Sequence, residues 1–187
     1  MRKVSVIVSI IGSVVFVFAS LANAQVPTSG NVFFGYSYYN ADLSPLGRNN
    51  FNGWTGSLEG KVLPWVGMVA DFSETYGSEN INLPVPPCPP SCSATINAHE
   101  YNMLFGPRVS VSVGKLRPFA EALFGVGHVS TNGFGSDTSF ATGLGGGLDY
   151  RIFRPIAWRF EGDYLQTRFF GATQNNVRLS TGIVFRF

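Results

Sequence analysis

The chain has 187 residues and a formal charge of +2, with 45% hydrophobic, 14% aromatic and only 13% charged residues. Soluble domains carry about 25% charged residues, so much of this surface must lie away from water. Disorder and nucleic-acid binding need high net charge or a strongly basic balance, and both are excluded; the length allows one domain.

Residues 1–24 read as a secretory signal peptide. Arg2 and Lys3 precede an uncharged apolar run over residues 4–21, and Ala22-Asn23-Ala24 supplies a small-x-small cleavage site. The polar and Gly/Pro-containing stretch 25–31 favours cleavage over a retained helix, and Gln25 in place of cysteine argues against a lipid anchor. Beyond the leader no apolar stretch approaches the roughly 18 residues of a membrane helix, so residues 25–187 are expected to form a single β domain.

Eight segments show period-two alternation, separated by Gly, Pro, Asn and Ser. The first, over residues 32–39, is aromatic on both faces and leaves its register open. The second sets Trp54, Gly56, Leu58, Gly60 and Val62 against Thr55, Ser57, Glu59 and Lys61; the third sets Val66, Met68, Ala70 and Phe72 against Val69, Asp71 and Ser73. In the fourth, Tyr101, Met103, Phe105 and Val109 oppose Glu100, Asn102, Arg108 and Ser110. The fifth and sixth place Glu121 opposite Ala120 and Ala122, and Asp149 opposite Leu148 and Tyr150. The seventh is the clearest, with Ile156, Trp158, Phe160 and Tyr164 alternating with Ala157, Arg159, Glu161 and Asp163. The last alternates Val177, Leu179, Ile183, Phe185 and Phe187 with Arg178, Ser180 and Arg186.

Alternation alone does not say which face points inward. A soluble barrel hides its apolar face and dresses the outside with Lys and Glu, whereas a membrane barrel turns the apolar face to lipid. After the leader the only lysines are Lys61 and Lys115, and the polar face is mostly small residues with charges of both signs. Aromatics at segment ends, among them Trp54, Tyr101, Phe140, Tyr150, Trp158, Tyr164 and Phe187, suit girdles at two bilayer interfaces. Tight proline-bearing joints at Leu63-Pro64-Trp65, Gly114-Lys115-Leu116-Arg117-Pro118 and Phe153-Arg154-Pro155 alternate with longer connections over 41–51, 77–96, 131–138 and 170–175. Short turns at one end and long loops at the other are the habit of outer-membrane barrels.

With these features the chain resembles the eight-stranded outer-membrane β-barrels of the OmpA transmembrane-domain and OmpX type. The resemblance implies an all-β, antiparallel up-and-down transmembrane barrel in the outer membrane of a Gram-negative cell. It implies lipid and lipopolysaccharide as surroundings, and Phe185 and Phe187 as the signal read by the barrel-assembly machinery. A surface ligand or host contact would then be made through the long loops; no cofactor and no nucleic acid is expected. Pro107 sits inside the fourth segment, where a closed barrel has no edge to excuse a missing N–H, and predicts a bulge or a later strand start.

The candidate chemistry is limited. Gly143-Leu144-Gly145-Gly146-Gly147 lacks the third glycine and the helix of a dinucleotide loop. Cys88 and Cys92, in a proline-rich loop of an exported chain, are expected to form a disulfide, with metal or redox roles as alternatives. His128-Val129-Ser130 is similar to the His-x-Ser of outer-membrane lipid A deacylases, where His, Ser and an acid cleave an ester at the lipid-facing surface. The alternation as read for this segment points His128 inward, and Thr131 separates Ser130 from Asn132, so no enzyme is expected. The inward charges Glu59, Lys61, Asp71, Glu100, Arg108, Glu121, Asp149, Arg159, Glu161, Asp163, Arg178 and Arg186 should pair as a plug in a narrow lumen, which disfavours a wide porin but leaves a narrow channel as an alternative.

Overall fold

The computed structural model describes residues 29–42, 47–82, 93–132 and 135–187. They form eight strands in chain order: β1 (Gly30–Asp42), β2 (Arg48–Lys61), β3 (Val66–Asn82), β4 (Ser93–Ser110), β5 (Leu116–Thr131), β6 (Gly135–Phe153), β7 (Ile156–Thr167) and β8 (Gln174–Arg186). Each pairs antiparallel with its sequence neighbour, and β8 returns to β1, so the sheet is a closed up-and-down barrel. The closing seam runs from Asn31↔Arg186 to Asn40↔Val177 and passes through the glycine pair Gly35↔Gly182.

Burial follows the alternation strand by strand. In β7, Ala157, Arg159, Glu161, Asp163 and Leu165 are buried while Trp158, Phe160 and Tyr164 are exposed. The two-sided aromatic pattern of β1 resolves with Asn31, Phe33, Ser37 and Tyr39 inside and Val32, Phe34 and Tyr36 outside. The outer surface is therefore a belt of exposed Val, Leu, Ile, Met and aromatic side chains around the whole barrel, including Leu58, Phe105, Leu144 and Ile183. A water-soluble monomer does not sustain an apolar surface of that extent; lipid does. The girdle aromatics Trp54, Tyr101, Phe140, Tyr150, Trp158, Tyr164 and Phe187 all lie on this outer face.

The tight turns behave as their sequences require. Gly114 takes φ +62 in a two-residue hairpin closed by Val113 and Leu116, a backbone conformation that favours glycine. The long connections are shorter than expected, because the strands run on into them. β3 and β4 stay paired as far as Asn82↔Ser93, although β2 leaves β3 after Asn52↔Tyr76 and β5 leaves β4 after Ala98↔Thr131. The result is a two-stranded arm that rises above its neighbours. Its Asn, Ser and Thr content reads as loop by composition, but ladder bonds are made by the backbone and do not require apolar side chains. The leader assigned to residues 1–24, and both Cys88 and Cys92, lie outside the described residues.

Pro107 produces neither a bulge nor a late start. Register against β5 is the same on either side of it, from Phe105↔Phe124 to Arg108↔Glu121, and Pro107 itself stays paired with Met68 of β3. The ladder simply omits the pairs of Gly106 and Pro107 on the β5 side. Glycine is required next to it, since a Cβ on Gly106 would lie 2.0 Å from the Ala122 carbonyl oxygen.

Candidate functional site

A closed eight-stranded barrel is just wide enough for its inward side chains to meet across the axis. Arg108 from β4 reaches Glu121 of the neighbouring strand, Glu161 at 3.2 Å and Glu59 at 3.4 Å. From β7, Arg159 holds Asp149 at 2.7 Å and Glu161 at 3.5 Å, and its guanidinium lies over the rings of Phe33 and Phe119. In β8, Arg178 pairs with Asp71 at 2.7 Å, Asp163 at 2.8 Å and Glu161 at 3.8 Å. Glu161 thus sits between three guanidinium groups. Toward the short-turn end Glu59 accepts from Lys61 at 2.7 Å and Arg117 at 3.1 Å, and Arg186 reaches Asp149 at 3.1 Å. Away from water such charges are tolerable only when each is paired and hydrogen-bonded, which this arrangement provides.

Eleven of the twelve inward charges named from the sequence join these ion pairs; Glu100 stands apart, accepting from Tyr39 Oη at 2.8 Å and Asn102 Nδ2 at 3.0 Å. Sequence alternation did not single out Arg117 or Asn31, and Ser110, which it placed on the inward face, accepts from Arg117. Arg117 shares the parity of Phe119 and Glu121, so extending the alternation of β5 back through Pro118 would have found it. Carboxylate oxygens of Glu121, Glu161 and Asp163 lie within 4.8 Å of one another, the spacing of a metal site. Here Arg108, Arg159 and Arg178 already supply the positive charge that a metal would bring.

Toward the long-loop end the lumen also carries apolar side chains, set among buried polar ones such as Glu100, Asn102 and Thr167. Leu104 is the second inward position above Arg108, and Leu123 and Leu165 are the first above Glu121 and Asp163; with Tyr39, Phe51 and Ala141 they form one buried cluster. Phe169, from the connection between β7 and β8, turns inward and is buried as well. Ion pairs and apolar side chains together occupy the narrow interior that a closed eight-stranded barrel leaves. Planar-bilayer recording of the intact protein is expected to show no conductance steps. Joint neutralisation by Arg159→Gln and Asp149→Asn should leave it closed, because the leucine cluster remains; current in either case would show that the cluster admits water.

The register read for His128 is corrected. It lies on the outer face, because it shares the parity of the outward Phe124 and Val126, and Ser130 is exposed on that face two residues on. His128 Nδ1 bonds to Thr138 Oγ1 at 2.7 Å. A hydroxyl therefore occupies the position where a triad needs a carboxylate to orient the imidazole.

Fold and lumen together define an eight-stranded transmembrane β-barrel of the outer-membrane type. The structure is similar to that of Neisserial surface protein A, with a TM-score of 0.64 and 14% identity over 84% of this chain and 97% of that one. It is also similar to Ail, the attachment invasion locus protein of Yersinia pestis, solved in complex with the heparin analogue sucrose octasulfate, with a TM-score of 0.56 and 14% identity over 85% and 98% of the two chains. At these identities the similarity is one of fold. No family model and no curated protein matches the sequence.

Proposed function

We propose that the protein is exported to the bacterial outer membrane and acts there as a structural and surface-contact protein, not as an enzyme or a pore. The observation that carries this reading is the contrast between a lumen closed by ion pairs and leucines and a β3–β4 arm held out past its neighbours as far as Asn82↔Ser93. A rigid closed scaffold with a projecting hairpin concentrates contact on that hairpin. The arm would meet the surface ligand or host, while lipid and lipopolysaccharide surround the belt. Phe185 on β8 and Phe187 just after it would serve barrel assembly; the backbone of Phe187 pairs with Gly30 at 2.9 and 3.1 Å, next to the closing seam. Ail, which shares the fold, was crystallised with a heparin analogue, so sulfated polysaccharide is a rational first ligand to offer.

The test compares cells displaying the full chain with cells in which residues 78–97 are replaced by a two-residue turn, on immobilised heparin and on host-matrix protein. Retention is expected to fall to the level of cells lacking the protein, with the trimmed barrel still present and heat-modifiable in the outer membrane. Unchanged retention by the trimmed form would contradict the proposal.

A further inference from the structure

The carboxylates of the lumen lock face inward, but Glu74 is turned to the lipid side. On β3 the outward positions run Val66, Met68, Ala70, Phe72, Glu74 and Tyr76, so Glu74 stands where the apolar belt ends. Cross-strand register sets Trp54, Glu74, Tyr101 and His128 side by side on four successive strands. Trp54 Nε1 donates to Glu74 Oε2 at 3.0 Å, and the hydroxyls of Tyr76 and Tyr101 are directed at the same carboxylate. The His99 ring meets Tyr76 edge-on, with centroids 5.0 Å apart. Just below, Phe72, Met103 and Val126 floor a groove of about 220 Å³ that Trp54, Tyr101 and His128 enclose from above.

The hydrogen-bond donors that fix this carboxylate are neutral and orient its negative charge, and the His99 imidazole lies within electrostatic reach of it. Its surroundings are aromatic rings and apolar side chains with little water access, which suit a weakly hydrated organic cation better than a hydrated metal ion. Because the head site lies at the belt's margin and the floor runs down the lipid-facing wall, a ligand with a cationic head and a hydrocarbon tail meets both. We propose that this groove binds the ammonium head of a membrane amphiphile at Glu74, between Trp54 and Tyr101, with its chain along Phe72, Met103 and Val126.

The probe is dodecyltrimethylammonium, titrated into the protein held in nonionic maltoside micelles while the Trp54 indole N–H resonance, assigned through Trp54→Phe, is followed. A saturable shift confined to Trp54, with the Trp158 indole unmoved, is expected. Glu74→Gln should weaken binding by about tenfold or more while the barrel stays heat-modifiable, and Tyr101→Leu, which keeps the carboxylate but removes the ring and the hydroxyl that orients it, should weaken it several-fold. The proposal fails if Glu74→Gln and Tyr101→Leu bind as the parent does, or if added maltoside gives the same shift. It also fails if magnesium chloride reproduces the response while the amphiphile gives none, since the site would then be a metal-bridged one.

Discussion

Arg108→Met is expected to be among the most destabilising single changes in the barrel. The substitution keeps side-chain bulk over Phe119 but removes the guanidinium that Glu121, Glu161 and Glu59 share. Arg108 and all three carboxylates are buried, so the loss leaves negative charge unpaired rather than merely deleting a bond. Breaking a buried pair from one side costs about 3–5 kcal/mol, whereas replacing both partners with uncharged groups costs much less. Urea refolding in detergent micelles should therefore show a large loss for Arg108→Met and partial recovery for Arg108→Met with Glu121→Gln. Equal stability of parent and single variant would mean that the lock contributes nothing to the fold.

A second large effect is expected at the closing seam. Gly35 and Gly182 face each other where β8 meets β1. A Cβ on Gly182 would lie 2.3 Å from the Phe34 carbonyl oxygen and 2.4 Å from the Gly35 Cα, distances that real Cβ atoms do not adopt. Both contacts are with backbone, so no side-chain rotation relieves them. Gly182→Val should block closure and leave a chain that never becomes heat-modifiable. The control is Gly162→Ala, whose added methyl would meet only the Leu179 side chain at 3.4 Å and should assemble normally. Normal assembly of Gly182→Val would show that the seam closes in a different register.

Much of this was legible in the sequence because a barrel wall is read by parity. Once Trp158, Phe160 and Tyr164 are assigned outward, Arg159, Glu161 and Asp163 can only point in. Parity fails where both faces carry the same residue type. In β1 the inward aromatics are distinguished only by distant partners, with Arg159 over the Phe33 ring and Glu100 accepting from Tyr39. The leucine cluster was invisible for a related reason. Leu104, Leu123 and Leu165 occupy nominally polar positions, and only closure of the sheet brings side chains from three separate strands into one cluster. The strand extensions of β3 and β4 were hidden because polar strand ends and loops share a composition, while their pairing is a property of the backbone. His128 shares the outward parity of Val126, which the sequence alone already shows.

This barrel wears its apolar face outward and its charges within. The most direct test is the electrophoretic mobility of the detergent-extracted protein in SDS with and without boiling, alongside far-ultraviolet circular dichroism. A β-type spectrum and a heat-dependent shift in mobility are predicted, with detergent required throughout. A protein that stays soluble without detergent and migrates identically before and after boiling would place the apolar face inside and contradict a membrane barrel.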